Sequence, residues 1–487
     1  MNDTAPGISG LSVYLPPYRV DLKSWCEWTG TAPEKITQVV GSGFRLTGPG
    51  QSVYTMAANA VIRLIQQYDI DTSRVRYLAL GTESSTDNSA GAIIIKGMVD
   101  SALREQGRPP LSRNCEVPEF KHACLGGIYG LKNALRFLAA DGSEDLAIVV
   151  CADKALYARG SSGEPTQGAG AVAMLLEANP TIATANLAEA GTASDYRGVD
   201  FRKPLINRNG TAASVDFVDI PVFNGKYSTG CYVDEMQRAL EDMYTRRRIS
   251  GADYLRELDA VFMHRPYHRM PETGWSMAYL FALAQGTAED QAELAGYCED
   301  AEIPVDAVLA ELRGCPQLAE FGVREKICDE VFPLAGKVMR KFRGTEHFQR
   351  VVADKMQLGS DCMKELGNLY TGALPAWLAA GLADAADSGV ELAGRELLLL
   401  GYGSGDAADA IPLHVLPGWQ AAANRIRLRE ALQPSIDLSH DQYLALRDHG
   451  KAGDLLYQPR GEFVIDRVGC DANPKFSDAG IEYYRYV

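Results

Sequence analysis

Several things are missing from this chain, and each absence narrows the reading. No apolar run reaches the roughly 18 residues that a membrane span needs. The start, Met1-Asn2-Asp3-Thr4, lacks the basic-then-apolar pattern of a secretory signal. Ten cysteines are spread over 487 residues with no Cys-x-x-Cys pair, which argues against a disulfide framework. Basic residues are in deficit, 48 Lys and Arg against 63 Asp and Glu, for a net charge of −15. That balance speaks against nucleic acid or an anionic membrane as partner, though it leaves room for a local basic patch. Phosphate-cradling signatures are absent too. Gly126 to Gly130 lacks G-x-G-x-x-G spacing, and no Gly-Lys-Ser/Thr follows Gly163 to Gly170. The expectation is a cytoplasmic protein with reduced thiols.

What is present is an ordinary globular composition, 46% hydrophobic and 23% charged, in a chain long enough for two or more packed units. Apolar strand-like runs alternate with helical ones. Strands are expected at Ile8–Tyr14, Val75–Gly81, Leu146–Asp153, Ala171–Leu176, Leu258–His264 and Glu396–Gly401. Helices are expected at Ser52–Tyr68, Ser89–Leu103, Ile128–Ala140, Thr229–Tyr244 and Lys364–Leu382. This alternation predicts an α/β fold with buried sheets. Glycine turns at 168–170 and 403–405 suggest two related halves. Residues 286–324 are polar, acidic and helix-prone and read as an insertion. From about Asn424 the chain is charged, with scattered aromatics and no clear sheet pattern, and reads as an extension wrapped on the core.

Three reactive side chains fall at the ends of apolar runs. Cys124 lies between a strand-like approach, Cys115 to Phe120, and an apolar helix. A sulfur near helix N–H groups is expected to favour its thiolate. Gly126 and Gly127 would let backbone come close to a substrate oxygen. Glu83 follows one strand, in Thr82-Glu83-Ser84-Ser85, and His264 follows another, in Met263-His264-Arg265-Pro266. Ser84, Ser85, Thr86 and Asp87 are capping residues that would leave Glu83 free as an acid or base. Asn368 lies at a further element boundary. A Cys/His/Asn set handles thioesters: sulfur takes the acyl group while His and Asn donate to carbonyl oxygens. His268 and His264 are four apart, but Pro266 breaks the helix a metal pair would need, so no metal is expected. Lys203, Arg208, Lys226, Arg265, Arg269 and Lys337 are candidate cations for a phosphate-rich ligand, against the plainer reading of surface charges.

In order along the chain, Gly81-Thr82-Glu83-Ser84-Ser85, His122-Ala123-Cys124-Leu125-Gly126-Gly127, Gly168 to Met174, His264-Arg265-Pro266-Tyr267, Gly367-Asn368-Leu369-Tyr370-Thr371-Gly372 and Tyr402-Gly403-Ser404-Gly405 resemble the motifs of hydroxymethylglutaryl-CoA synthases, which are thiolase-like condensing enzymes. Asn224 to Ser228 with Cys231-Tyr232 resembles a further segment. The resemblance covers roughly residues 8–415. It implies a five-layer α-β-α-β-α fold of two similar halves, 1–200 and 201–420, followed by an extension at 421–487, usually as a homodimer. It implies acylation of Cys124, Glu83 as the base that forms an enolate, His264 polarising the acceptor ketone, and Asn368 helping to bind it. Tyr402 and Ser404 would shape the site, with the Ser404 N–H a candidate oxyanion donor. Gly225, Tyr227 and Arg269 would lie along the substrate tunnel. Coenzyme A thioesters would be substrates, with no permanently bound cofactor.

The chain departs from the pattern at Leu125, where an aromatic is usual, at Ile128 and Tyr129, where small residues are usual, and at Arg269, where Lys is usual. Past Asn368, Ala373-Leu374-Pro375 stands where a Ser and an aromatic are common. Three other readings stay open. One is an enzyme acting on a β-ketoacyl group held by an acyl carrier protein, which needs a basic tunnel mouth. The others are a simple ketoacyl synthase and a non-catalytic binding protein on the same fold.

Overall fold

The computed structural model describes residues 5–84, 90–203, 220–314, 316–473 and 475–487. Its centre is one continuous sheet of ten strands. These are β1 (Gly7–Tyr14), β2 (Val75–Gly81), β3 (Glu119–Phe120), β4 (Leu146–Ala155), β5 (Gly168–Glu177), β6 (Ala183–Ala185), β7 (Gly191–Ser194), β8 (Ala260–Met263), β9 (Glu396–Gly403) and β10 (Ala407–Val415). Their order is β8-β9-β10-β6-β1-β5-β4-β2-β3, with β7 also on β10. Two halves are visible within it. In the first, β2 pairs parallel with β4, and β4 pairs antiparallel with β5. In the second, β8 pairs parallel with β9, and β9 pairs antiparallel with β10. The short β6 bridges β1 and β10 and joins the halves.

The helices complete the layers. They are α1 (Val53–Tyr68), α2 (Gly91–Glu105), α3 (Gly126–Ala139), α4 (Gly225–Arg247), α5 (Met270–Gln285), α6 (Ala288–Asp300), α7 (Val305–Gly314), α8 (Pro333–Phe342), α9 (Ala373–Ser388) and α10 (His440–His449). α1 and α2 cover the outer face of the first half, α3 and α9 lie between the halves, and α4 with α5 covers the second half. This is a thiolase-like α-β-α-β-α arrangement. Both faces of the strands are buried, so their sequences read as continuous apolar runs. Along β2, Val75, Leu78 and Leu80 join the core under α1, while Tyr77 and Ala79 join the core around α3. The central helix α9 is buried almost all round from Ala373 to Leu382, as a helix packed on both sides must be. α1 starts where a capping box says it should: Ser52 and Thr55 satisfy each other's backbone N–H groups.

Three expectations change. Residues 364–372 do not begin the α9 helix. Gly367 at φ +73 packs its Cα against the Gln167 carbonyl, and Tyr370 at φ +46 is also left-handed, so the chain cannot run helically there. Gly168 to Gly170 are strand residues of β5 rather than a turn. A Cβ on Gly168 would lie 2.4 Å from the Asn368 carbonyl oxygen, so a glycine is needed for close passage. The C-terminal region does contain sheet: Phe463–Val468 and Glu482–Tyr486 form an antiparallel hairpin against α1 and α2. Phe463 is tied to Asn59 by two hydrogen bonds, of 3.3 and 2.7 Å, which a sequence pattern does not reveal. The helical layer that begins at α6 continues past residue 324 through α8, whose Ala335, Val338, Met339 and Phe342 face inward.

Candidate active site

The two halves present equivalent strand ends to one place. Glu83 follows β2 and His264 follows β8, while Cys124 precedes α3 and Asn368 precedes α9. The Cys124 thiol donates to Glu83 Oε2 at 3.3 Å. Cys124 sits just after Ala123, whose φ of +43 is strained for a residue with a Cβ. Gly126 and Gly127 are required by packing: a Cβ on Gly127 would lie 2.3 Å from Cys151 Sγ, and one on Gly81 would lie 2.5 Å from Gly127 Cα. The glycines thus let α3 start hard against the ends of β2 and β4, which brings sulfur and carboxylate together.

Asp153, at the end of β4, holds the arrangement from below. Oδ1 accepts from Thr82 Oγ1 at 3.0 Å, Glu83 N at 2.8 Å, Ser84 N at 2.9 Å and Ser84 Oγ at 2.8 Å. Oδ2 accepts from Thr371 N at 3.0 Å and from the Thr371 hydroxyl. One buried carboxylate therefore ties the Glu83 loop to the Asn368 loop. The Ser84 hydroxyl is engaged here rather than in capping a helix; Ser85, Thr86 and Asp87 lie outside the described residues. The sequence signal for Asp153 was an acid at the end of an apolar strand.

Ionisation differs from the expectation for a helix start. Burial, then the Glu83 charge, pushes the Cys124 thiol well up, and Lys203 opposes this. The resting group is a thiol donating to a carboxylate. Burial lowers His264 to about 3, so its imidazole is neutral, and among the described residues its Nδ1 has no hydrogen-bond partner. Tyr232 OH donates to the His264 carbonyl at 2.9 Å, and the Tyr402 ring stacks on the imidazole with centroids 6.4 Å apart. Asn368 Oδ1 accepts from Tyr370 N at 2.9 Å, and its Nδ2 lies 3.4 Å from Tyr157 OH.

Cys124, His264, Asn368, Tyr402, Ser404 and Gly225 all line one cavity of about 630 Å³. Buried Tyr157, Tyr232 and Tyr370 complete its inner wall, and the exposed Lys35 and Lys226 lie on its rim. Lys203 Nζ lies 3.9 Å from Glu83 Oε1 and donates to the Glu83 carbonyl at 3.1 Å, which puts this cation beside Glu83 rather than on the rim. Tyr227 is buried in the core behind the wall. Arg269 points outward to Glu272 at 3.6 Å, and Lys337 is exposed on α8. Arg265 is a buried anchor, bonded to Ser360 at 3.2 Å and over the Trp377 ring. Arg208 falls outside the described residues. Leu125 and Ile128 belong to the core and do not reach the cavity. A larger groove of about 820 Å³, lined by Tyr68, Arg74 and Arg425, holds none of these groups.

Known proteins show what this arrangement resembles. The family described as hydroxymethylglutaryl-coenzyme A synthase N terminal matches residues 3–181. A hydroxymethylglutaryl-CoA synthase of Haloferax volcanii is 27% identical over 480 residues, covering 96% of this chain and 97% of that protein. A structure of MvaS in complex with 3-hydroxy-3-methylglutaryl coenzyme A superimposes with a TM-score of 0.76 at 23% identity, covering 99% of each chain. The curacin pathway HMG synthase in complex with holo donor-ACP gives 0.69 at 19% identity, covering 99% of this chain and all of that one. On the profile match and an alignment that runs nearly end to end, the chain is similar over its length to hydroxymethylglutaryl-CoA synthases, and its residues 3–181 carry that family's N-terminal pattern.

Proposed function

We propose that this protein joins acetyl-CoA and acetoacetyl-CoA into hydroxymethylglutaryl-CoA through an acetyl-Cys124 intermediate. The observation that carries this reading is the 3.3 Å contact between the Cys124 thiol and Glu83, in reach of a cavity that His264 and Asn368 also line. A thiol, a carboxylate and a neutral imidazole suit the three tasks of a thioester condensation.

In the first step the Cys124 proton passes to Glu83 as sulfur attacks the acetyl carbonyl, and the coenzyme A thiolate leaves with a proton. Glu83, again a carboxylate, removes a proton from the acetyl methyl group. The resulting enolate attacks the ketone carbon of acetoacetyl-CoA, and the ketone oxygen, which accepts from the His264 imidazole N–H, takes up a proton and stays on that carbon as the tertiary hydroxyl of the product. Water then hydrolyses the Cys124 thioester. One acetyl-CoA, one acetoacetyl-CoA and one water give hydroxymethylglutaryl-CoA and coenzyme A. Asn368 and the tyrosine-lined wall hold the acceptor near the nucleophile, which supplies most of the advantage of a preorganised site. Lys203 beside Glu83 offsets the negative charge of the carboxylate and favours the step in which sulfur ionises.

The test is intact-protein mass spectrometry after mixing with acetyl-CoA, with Cys124→Ala as control. An acetyl adduct absent from the control, discharged by acetoacetyl-CoA with release of hydroxymethylglutaryl-CoA, supports the proposal. An adduct that acetoacetyl-CoA leaves in place points instead to an acceptor on a carrier protein. The rim lysines Lys35 and Lys226 suit an anionic group in either case. Absence of an adduct overturns the reading. We include a homodimer in the proposal, to be checked by light scattering.

A further inference from the structure

The Tyr402 hydroxyl sits between two buried carboxyl groups, 2.9 Å from Asp200 Oδ2 and 2.8 Å from Asp406 Oδ1. A phenol has one hydrogen to give, so both contacts are hydrogen bonds only if one carboxyl group brings a hydrogen of its own. Asp406 is the poor candidate. Its Oδ2 accepts from Arg197 Nη1 at 3.1 Å, and its Oδ1 also accepts from Gly405 N at 2.5 Å. Asp200 is fully buried, and among the described residues its Oδ1 accepts no hydrogen bond.

The groups around this pair reinforce the assignment. From α4 come Cys231, Tyr227, Ser228, Asp234 and Glu235; from the segment before Asp200 come Asp195 and Arg197. Arg197 is already engaged with Asp234, Asp406 and Glu235, so the excess charge near Asp200 is negative. Asp200, Cys231 and Asp406 lie within 4.8 Å of one another, a spacing that a cation could use. The phenol between the carboxyl groups and the guanidinium on Asp406 make a proton the better fit. Burial and the Asp406 charge hold the Asp200 carboxyl up near 8.

We infer that Asp200 is a neutral carboxylic acid that donates to Tyr402 while Tyr402 donates to Asp406, and that this relay is a positioning device for His264. The Tyr402 ring contacts His264 on one side, at 6.4 Å between centroids, and Tyr232 on the other, at 5.1 Å. Tyr232 in turn holds the His264 carbonyl. When Asp200 ionises, its proton goes to solvent and the single phenol hydrogen is left to two mutually repelling carboxylates. The ring loses one anchor, and His264 loses the surface it rests on. The kinetic part of this inference rests on the proposed function; the protonation part does not.

Infrared spectroscopy reads the protonation directly. Wild type minus Asp200→Asn at pH 7 should show the carbonyl band of a neutral carboxylic acid, and in wild type that band should titrate away with a midpoint near 8. No such difference band overturns the inference, with or without enzyme activity. If Asp200→Asn does not fold, Tyr402→Phe serves: the band should move in frequency as the acid loses its acceptor, and an unmoved band overturns the assignment. In kinetics, discharge of acetyl-Cys124 by acetoacetyl-CoA should fall about tenfold per pH unit above 8 in wild type. Asp200→Asn, which still donates to Tyr402 but cannot ionise, should stay flat through that range. A variant that keeps the alkaline fall overturns the positioning role. Failure of acetyl-Cys124 to form would count against the proposed function and leave the infrared result to judge the proton.

Discussion

Cys124 Sγ lies 3.3 Å from Glu83 Oε2 in a buried place, so the thiol and the carboxylate share one proton. The carboxylate suppresses the thiolate, and Lys203 works the other way.

Opposite changes in thiol reactivity should follow from the two neighbours. Glu83→Gln removes the negative charge and should speed alkylation of Cys124 at pH 7 by about tenfold or more; Lys203→Met should slow it by a similar factor. The check is the rate of iodoacetamide labelling at Cys124, read by peptide mass spectrometry. Equal rates in all three proteins would show that the charges do not govern the sulfur.

Asp153 ties two loops together through six hydrogen bonds. Asp153→Ala strands buried donors on both loops and should cost about 3 kcal/mol of stability. It should also slow acetylation of Cys124, because Glu83 N and Thr371 N lose their common acceptor. Chemical denaturation together with the mass-spectrometric acetylation assay measures both effects.

Close approach at Gly127 predicts a rescue. Gly127→Ala places a methyl group 2.3 Å from Cys151 Sγ and should destabilise by about 1–3 kcal/mol while displacing the start of α3. The double variant Gly127→Ala, Cys151→Ala removes the clashing sulfur and should recover most of that loss. Additive losses in melting experiments would place the strain elsewhere.

His264 is buried neutral, held at about 3 against an ordinary value of 6.5. Between those values the unfolded chain binds a proton that the folded chain does not. Stability therefore falls as pH drops below about 6.5, by up to about 1.4 kcal/mol per pH unit from this group. His268, lowered to about 4, adds to the same trend. Denaturation midpoints at pH 7, 6 and 5 should decline in wild type and decline less steeply in His264→Gln. Parallel slopes would remove His264 as the cause.

Much of this architecture could be read before any coordinates. Apolar runs such as Val75–Gly81 and Glu396–Gly403 are strands because both faces are covered, and covered strands show no alternation to obscure them. Glu83, Cys124 and His264 stood out because buried strands end where a sheet opens, so a reactive group just past such a run has somewhere to act. The start of α9 at Ala373 rather than Lys364 is not legible in the sequence, because Gly367 and Tyr370 take left-handed conformations that only the approach to Gln167 and the tyrosine wall explains.

Local order along the chain thus determines the strands, the helices and the reactive side chains, since periodicity and backbone preference act between near neighbours. Proton locations belong to the tertiary structure alone. Cys124 meets Glu83 across 41 residues, and Asp200 meets Tyr402 across 202. Whether each group is charged depends on which distant partners arrive and how much water they exclude, because desolvation and charge act through space and not along the chain.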